Sequence, residues 1–343
     1  MQVRAILIAA GTLIASVLLT GLVRRLAVSH GVLDVPNQRS SHKAPTPRGG
    51  GVAIVSANTL ALAMLAVLGD VKLDLVLALG GSLAVAWVGF MDDRHPLSAK
   101  VRLTVHIVAG AWALYWLGGL PPLRFGDKII ALGWMGYLLG TLGIAWSLNL
   151  FNFMDGIDGI AATEAIFVVL GAALLTLLGT DTMGLVAVCL VFAAACTGFL
   201  VWNWPPAKIF MGDVGSGYLG YLLAVLALAA TRENPVSLWC WLILGGAFFV
   251  DATVTLARRL MRGDRVSQAH RSHAYQWLSR RWGSHRLVTI VVILINVAWL
   301  LPCALLAATQ PTRAPLVASG ALIPLVIAAL VAGAGNREGM SQD

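Results

Sequence analysis

Long apolar runs separated by short polar segments are the dominant pattern along this chain. A membrane-spanning helix needs about 20 apolar residues, and by that rule the pattern predicts about eleven spanning helices. We therefore expect an all-α, polytopic membrane helical bundle that forms a single domain over residues 1–343. The predicted spans lie near residues 5–23, 50–69, 73–91, 102–119, 129–148, 160–179, 183–202, 214–231, 236–257, 287–307 and 314–333.

Composition supports this class and the charges orient the bundle. Hydrophobic residues make up 58% of the chain and charged residues only 12%, whereas soluble globular chains have about 25% charged residues. The net charge of +8 would suit a nucleic-acid-binding protein, but the charges concentrate on one side of the predicted membrane. With the N-terminus outside, most Lys and Arg residues fall in the inside segments, as the positive-inside rule requires. We therefore predict an N-out, C-in topology and no nucleic-acid partner.

Three acidic clusters lie in the predicted inside segments: Asp92 and Asp93 after the third span, Asp155 and Asp158 after the fifth, and Asp213 before the eighth. Acidic side chains at the ends of membrane helices are costly to keep there, so they usually hold a metal, a phosphate or a substrate. Exposure to water, or capping of a helix, is the alternative for each cluster alone. Their meeting on one face favours a shared site. The inside segments lie near residues 24–49, 91–102, 149–160, 203–214 and 258–286.

Polar residues recur at every third position at the end of the fifth span. On a helix, Asn149, Asn152 and Asp155 would form one drifting stripe, which Asp158 follows. Carboxylate and amide oxygens are the ligands that Mg²⁺ prefers, and they can also hydrogen-bond a nucleobase or a sugar. Polar decoration of the membrane interface is the alternative, but four such groups together are more than decoration requires.

The segment before the eighth span combines an amide, an aromatic ring and an acid, at Asn203, Phe210 and Asp213. The ring of Phe210 could stack on a planar ligand. Asp213 opens the next helix, where capping of backbone N–H groups is its structural alternative. The segment therefore adds ligand-binding candidates to the same predicted face.

Two further features are ambiguous. His270, Arg271 and His273 lie in a basic loop that can bind lipid headgroups or act as a phosphate clamp, because Arg offers fork-like donors. Glu164 and Asp251 lie within or near spans, where an acid is a functional candidate by default. Pairing of such an acid with a basic residue, or packing near the membrane edge, is equally compatible with the sequence.

In this order the motifs resemble those of the polyprenyl-phosphate N-acetylhexosamine-1-phosphate transferases. The resemblance extends from Asp34 to about Gln276. It implies a bundle of ten or eleven helices in the bacterial cytoplasmic membrane, with the active site at the cytoplasmic face. It also implies transfer of a sugar 1-phosphate from a UDP-sugar to undecaprenyl phosphate, with release of UMP. Mg²⁺ is the implied cofactor, with Mn²⁺ as a substitute. The matching motifs are residues 34–50, 91–93, 149–159, 210–216 and 270–273.

The resemblance also implies a role for each candidate residue. The implied catalytic acids are Asp92, Asp93 and Asp155. The implied metal ligands are Asp213 and Asp158. The implied substrate-binding residues are Asn149, Asn152, Asn203 and Phe210 for the nucleoside side and Lys43, His270, Arg271 and His273 for phosphates.

One departure narrows the expected substrate. Arg271 and Ser272 interrupt the three-histidine run of the peptidoglycan enzyme, the phospho-MurNAc-pentapeptide transferase. We therefore expect a simpler UDP-N-acetylhexosamine and an initiating role in O-antigen or other surface-polysaccharide synthesis, with the muramyl-pentapeptide reaction as the alternative. A transporter or flippase for a lipid-linked sugar is the rival from another class, but such proteins often carry paired halves, which this sequence lacks. Membrane lipid is a further expected partner, and a homodimer stays open.

Overall fold

The computed structural model describes residues 2–36, 44–179, 182–233, 236–264 and 270–337. Helices dominate these ranges, and a π-helix at Asn296–Leu300 joins two of them. The α-helices are α1 Gln2–Ser29, α2 Gly51–Val67, α3 Leu73–Gly80, α4 Ser82–Arg94, α5 Ala99–Leu117, α6 Trp134–Met154, α7 Ile160–Gly179, α8 Met183–Asn203, α9 Asp213–Glu233, α10 Leu238–Leu244, α11 Gly246–Met261, α12 Ala274–Trp282, α13 His285–Ile295, α14 Leu301–Thr309 and α15 Ala314–Ala332.

Two short antiparallel hairpins accompany the helices, so the all-α prediction holds for the bundle but not for every connection. Strand β1, Leu33–Asp34, pairs with β2, Thr46–Pro47. Strand β3, Leu123–Phe125, pairs with β4, Lys128–Ile130. Strands of two or three residues are too short to show an alternating pattern, and the sequence therefore gave no signal for them.

Each predicted span coincides with a helix or a run of consecutive helices. Within the described residues, seven helical segments are long and apolar enough to cross a membrane, or eight if α10 and α11 form one span that bends by 80°. The segment α3–α4 counts as one of the seven although it is interrupted at Gly81. The polytopic membrane class is thus confirmed, whereas the number of eleven stays a prediction.

Helix α9 lies at the centre of the bundle and is buried along most of its length. Glycines allow other backbones to come close to it, as in many membrane helix pairs. A side chain at Gly215 would collide with Gly51 of α2, and one at Gly220 would collide with Ser147 and Leu148 of α6. Helix α4 makes the same kind of approach, because a side chain at Gly89 would meet the backbone of Asp213.

These close contacts bring four helix ends to one end of the bundle. Asp92 and Asp93 lie in the last turn of α4, and Asp213 is the first residue of α9. Asp155 directly follows α6, and Asp158 lies just before α7. The three acidic clusters of the sequence therefore converge, as we expected.

Candidate active site

Asp93 holds the N-terminus of α9. Its two carboxylate oxygens accept hydrogen bonds from the backbone N–H groups of Asp213 at 2.9 Å and Val214 at 3.1 Å. The first N–H groups of a helix lack partners within the helix, and a carboxylate is favoured there by the helix dipole. The Asp93 side chain is only 6% exposed. The geometry therefore gives this acid a positioning task and leaves it little access to a substrate.

Two arginines neutralise the other carboxylates of the cluster. Arg48 lies 2.8 Å from Asp93 and 2.7 Å from Asp213. Arg102 lies 2.6 Å from Asp92 and 3.5 Å from Asp213, and the side chains of Asp92 and Asp213 are themselves in contact. Burial alone would lower the pKa of Arg48, but the charges of Asp93 and Asp213 outweigh it and raise that pKa.

Neither arginine was among the residues predicted for the site. Arg48 is separated from Asp213 by 165 residues, so no local spacing could reveal that pair. Arg102 lies in the first turn of α5, ten residues after Asp92, and this nearness in the chain was a weak signal for the pair. We name the set Asp92, Asp93, Asp213, Arg48 and Arg102 the carboxylate–arginine cluster.

Asp155 differs from the other acids, because its carboxylate forms no hydrogen bond or ion pair with any residue that the structure describes. It is partly buried beside the carboxylate–arginine cluster, where Asp213, Arg48 and Asp93 act on it electrostatically. Burial raises the pKa of Asp155 well above its ordinary value, and the charge of Asp213 adds to this effect. An uncommitted acid of this kind is available to bind a metal, accept a proton or act as a nucleophile.

Asp158 is committed elsewhere. One oxygen accepts a hydrogen bond from the backbone of Ala207 at 3.0 Å, and the other lies 3.2 Å from Nδ1 of His285. Its carbonyl oxygen accepts a hydrogen bond from Thr289 at 3.1 Å. Asp158 thereby ties the start of α7 to the segment before α9 and to α13. Its predicted role as a metal ligand stays a prediction, and it would require release of these partners.

The three predicted asparagines have different surroundings. Asn149 donates to the carbonyl oxygen of Ala145, one turn earlier in α6, at 2.7 Å. Asn152 donates to the hydroxyl oxygen of Ser216 in α9 at 3.3 Å. These two residues therefore lie on the α6 face that leads to Asp155. Their predicted substrate contacts remain compatible with the structure.

Asn203 links two segments of the protein through buried hydrogen bonds. It is 3% exposed, and both ends of its side-chain amide are used. Its oxygen accepts from the N–H of Gly159 at 2.9 Å, and its nitrogen donates to the carbonyl oxygen of Ile209 at 2.9 Å. The predicted substrate contact of Asn203 would require the loss of a buried hydrogen bond, which costs about 1–3 kcal/mol. The structure therefore favours a structural task.

Phe210 lies where two loops join. Its N–H donates to the carbonyl oxygen of Pro47 at 2.8 Å, and its carbonyl oxygen accepts from the N–H of Gly50 at 2.9 Å. This pairing fixes the loop that carries Arg48 against the segment that carries Asp213. Phe210 is partly exposed, and its predicted stacking on a planar ligand stays a prediction.

The histidine loop lies against the 149–159 run. The rings of His270 and His273 are stacked with centroids 5.0 Å apart, and both lie within 6.3 Å of the Phe153 ring. His273 is 2% exposed, and its Nε2 has no hydrogen-bond partner among the described residues. A buried polar atom without a partner is unusual. Both histidines thus face the side of the molecule that carries Asp155.

Asp251 positions this loop, a role that the sequence left open. Its oxygens accept hydrogen bonds from the backbone N–H groups of Ala274 at 2.8 Å and Tyr275 at 3.0 Å, and one lies 3.3 Å from Nδ1 of His273. Tyr275 then donates its hydroxyl proton to the carbonyl oxygen of Phe153 at 2.9 Å. The start of α12 is therefore fixed both to α11 and to the end of α6.

Lys43 and Arg271 were both predicted to bind phosphate. Lys43 lies outside the described residues, so its predicted role is not addressed by the structure. Arg271 is partly buried, and its carbonyl oxygen accepts a hydrogen bond from Arg280 at 2.9 Å. The predicted phosphate contacts of the basic loop stay predictions.

The donor set of the cluster suits a hard cation. Among the residues that the structure describes, no three His, Cys, Asp or Glu side chains already converge on one point as metal ligands do. Arg48 and Arg102 instead occupy oxygens of Asp92 and Asp213. Carboxylate oxygens with no thiolate match Mg²⁺ better than Zn²⁺. The donor types therefore fit charged phosphates at the arginines, and a divalent cation at the acids if the arginines release them.

Comparison with known proteins identifies a family of transferases. The model of glycosyl transferase family 4 matches residues 75–231. A probable undecaprenyl-phosphate N-acetylglucosaminyl 1-phosphate transferase of Bacillus subtilis (strain 168) is 30% identical over 291 residues, which cover 83% of this chain and 80% of the relative. The chain belongs to glycosyl transferase family 4. It is therefore a membrane transferase, as the motifs predicted.

Other similar members of the family differ in their named substrates. A decaprenyl-phosphate N-acetylglucosaminephosphotransferase of Mycobacterium tuberculosis (strain CDC 1551 / Oshkosh) is 31% identical over 314 residues, which cover 80% of this chain and 76% of the relative. A phospho-N-acetylmuramoyl-pentapeptide-transferase of Gloeothece citriformis is 30% identical over 252 residues, which cover 69% and 66%. Glycosyl transferase family 4 membership thus fixes the class of reaction and leaves the sugar open.

Proposed function

We propose that the chain transfers an N-acetylhexosamine 1-phosphate from a UDP-sugar to undecaprenyl phosphate and releases UMP. The observation that carries the proposal is the uncommitted carboxylate of Asp155 beside the carboxylate–arginine cluster. The names of the Bacillus and Mycobacterium relatives support the same polyprenyl-phosphate chemistry.

In the proposed reaction, an oxygen of the lipid phosphate forms a bond to the phosphorus next to the sugar. The P–O bond between the two phosphates of the donor breaks, and UMP leaves with the electron pair. Phosphoryl transfer of this kind depends on positioning and on neutralisation of phosphate oxygens. Arg48 and Arg102 can supply positive charge, and Asp155 can act on the attacking group or as a nucleophile in a two-step route. Asp92 and Asp93, which were predicted as catalytic acids, would then position neighbouring groups, since both carboxylates already accept backbone hydrogen bonds.

We propose Mg²⁺ as the cofactor, with Mn²⁺ as a substitute. Asp213 and Asp155 are the best-placed ligands, because both lie at the cluster and carry carboxylate oxygens of the kind that Mg²⁺ prefers. Binding of the ion by Asp213 would require Arg48 and Arg102 to release its oxygens. When bound, the ion would supply charge neutralisation for the phosphates of the donor. Asp158 remains a second candidate ligand at the cost of its bonds to Ala207 and His285.

We place the site at the cytoplasmic face of a bacterial inner membrane, in an eleven-span bundle with its N-terminus outside. The positive-inside rule supports this orientation, because the loops around the carboxylate–arginine cluster hold most of the Lys and Arg residues. UDP-sugars are made in the cytoplasm, which agrees with an active site on that side.

For the pathway, we propose the initiating step of O-antigen or another cell-surface polysaccharide. The donor would be a UDP-N-acetylhexosamine, a choice supported by the interrupted histidine run and by the N-acetylglucosamine in the names of the relatives that cover most of this chain. Transfer of phospho-MurNAc-pentapeptide is the alternative function, and the name of the Gloeothece relative supports it.

The test is release of UMP by the purified full-length protein in detergent. Undecaprenyl phosphate is combined with Mg²⁺ and a panel of UDP-N-acetylhexosamines that includes UDP-MurNAc-pentapeptide. We expect UMP only when lipid, metal and the correct donor are all present. Absence of UMP with every donor, from protein that is folded and binds UDP-sugar, would instead favour the transporter reading.

A further inference from the structure

A buried acid outside the active site joins three parts of the bundle. Glu164 of α7 is fully buried, and its Oε2 accepts a hydrogen bond from Nδ2 of Asn296 at 2.6 Å. Asn296 is also fully buried and is the first residue of the π-helix between α13 and α14. A carboxyl group within a membrane helix is costly and rarely lacks a task, yet the carboxylate–arginine cluster does not use it.

The same carboxyl group faces the bend between α10 and α11. The backbone N–H of Phe248 points toward the Glu164 carboxyl group. Within the described residues, however, Oε1 of Glu164 has no partner that meets the criteria of a hydrogen bond. Phe248 lies in the first turn of α11, directly after the 80° bend. The first N–H groups of a helix lack internal partners, and the bilayer has no water to replace them. Glu164 therefore supplies an acceptor at the point where the chain turns.

Helix α11 connects the Glu164–Asn296 pair to the candidate active site. Asp251 lies one turn after Phe248 and accepts the N–H groups of Ala274 and Tyr275, beside the ring of His273. Glu164 itself is on α7, whose first turn follows the Asp155 loop. The pair thus ties the helix behind Asp155 to the helix that positions the histidine loop.

We propose that Glu164 and Asn296 are positioning residues for the transfer reaction, an inference that rests on the proposed function. They set the bend of α11, and through Asp251 they set the distance between the histidine loop and Asp155. A displacement of about 1 Å in an active site can reduce turnover by about 10²-fold. The pair would therefore influence turnover without touching the substrate.

The test compares substitutions at the pair with a matched control. Glu164→Leu removes both acceptors, whereas Glu164→Gln retains the shape and can form a reciprocal amide pair with Asn296. Thr176→Val is the control, because Thr176 is equally buried in α7 and its hydroxyl donates, among the described residues, only to Ala172 of the same helix, at 2.8 Å. We expect Glu164→Leu to lower kcat for UMP release by about 10²-fold with little change in KM for the donor. Glu164→Gln should restore most of the turnover.

A structural readout separates this proposal from the proposed function. Amide hydrogen exchange should accelerate at Ala274 and Tyr275 in Glu164→Leu, and stay at the wild-type rate in Thr176→Val. If Glu164→Leu turned over like the control, or lost turnover with unchanged exchange in α12, the positioning role would be refuted. If the wild type released no UMP from any donor, the proposed function would fail while the exchange experiment still tested the link.

Should Glu164→Leu not fold, Asn296→Ala provides the same test more gently. It removes the hydrogen bond of 2.6 Å but leaves the Glu164 carboxyl group facing Phe248. We expect a smaller loss of kcat and faster exchange at the start of α12. Wild-type values for both quantities would overturn the proposal.

Discussion

Asn substitutions at Asp93 and Asp155 should separate stability from catalysis. Asp93 accepts two backbone N–H groups and pairs with Arg48, whereas Asp155 has no such partner in the described part of the chain. An Asn at position 93 keeps one acceptor oxygen and turns an NH₂ group toward the second N–H. We therefore expect Asp93→Asn to lose stability, and Asp155→Asn to lose turnover alone.

The magnitude for Asp93→Asn follows from its contacts. A hydrogen bond to a charged group contributes about 1.5–3 kcal/mol. The pair with Arg48 adds at most about 1 kcal/mol, because that arginine is 35% exposed and keeps Asp213 as a partner. The expected loss is about 2–4 kcal/mol. For Asp155→Asn we expect no loss of stability, because a carboxylate whose folded-state pKa is raised by burial is destabilising where it is ionised. We also expect a fall in turnover of at least about 10²-fold.

Unfolding can be followed by the fluorescence of the 12 tryptophans in detergent, at one fixed heating rate because membrane proteins often unfold irreversibly. UMP release gives the turnover of the same samples. Equal destabilisation by the two substitutions would refute the distinction between a positioning acid and an uncommitted one. Full turnover in Asp155→Asn would remove Asp155 from the chemistry.

The pH dependence of the same pair of proteins provides a second check. Burial raises the pKa of Asp155 in the folded state above the ordinary 3.8, so the folded protein binds more protons than the unfolded chain above that pH. Stability of the wild type should therefore fall, relative to Asp155→Asn, as pH rises from about 4 through the raised pKa. If the stability of the wild type relative to Asp155→Asn stayed constant or increased as the pH rises, the predicted direction would be wrong.

The remaining predictions concern neighbouring contacts. Arg102→Gln frees Asp92 and Asp213 from their shared cation, so the half-saturating Mg²⁺ concentration for UMP release should fall by about tenfold, or about 1.4 kcal/mol. Asp158→Asn keeps one acceptor oxygen and so loses one of its two contacts, with Ala207 or with His285. Thermal unfolding should show a loss of about 1–2 kcal/mol with Mg²⁺ dependence retained; loss of that dependence would instead make Asp158 a ligand. Tyr275→Phe leaves the carbonyl oxygen of Phe153 unpaired, which should cost about 1 kcal/mol in the same measurement. Lys72→Ala is the control for all three, because its exposed pair with Glu233 contributes less than about 1 kcal/mol.

The spans were predictable because apolar length is a local property of the sequence. Each predicted segment contains a helix, but interruptions within segments were not foreseen. Helix α3 ends at Gly80, where the Tyr221 hydroxyl fills the space beside Gly81 and donates to the carbonyl oxygen of Ala78 at 2.8 Å. Such a break depends on a side chain 140 residues further along the chain, and hydropathy does not detect it.

The residues of the site were predictable as a set but not in their roles. Asp92, Asp93, Asp155 and Asp213 do converge, as acids at helix ends on one face suggested. Which of them is bound and which is uncommitted depends on Arg48, Arg102 and the N-terminus of α9. These partners are set by packing between helices that are distant in sequence, so identical residue types acquire different tasks.

One physical need explains how three of the buried acids are used. A helix that begins inside or at the edge of a membrane has N–H groups that water cannot satisfy, and a carboxylate on a neighbouring helix satisfies them. Asp93 does this for α9 and Asp251 for α12, while Glu164 faces the start of α11. Acids with this task keep helices in place and are poor reactants, because ligand binding would break the bonds that justify their burial. Asp155 follows a helix C-terminus, where no such N–H groups are available and the dipole disfavours a negative charge. No contact among the described residues accounts for its position, which favours a task in the chemistry for this acid.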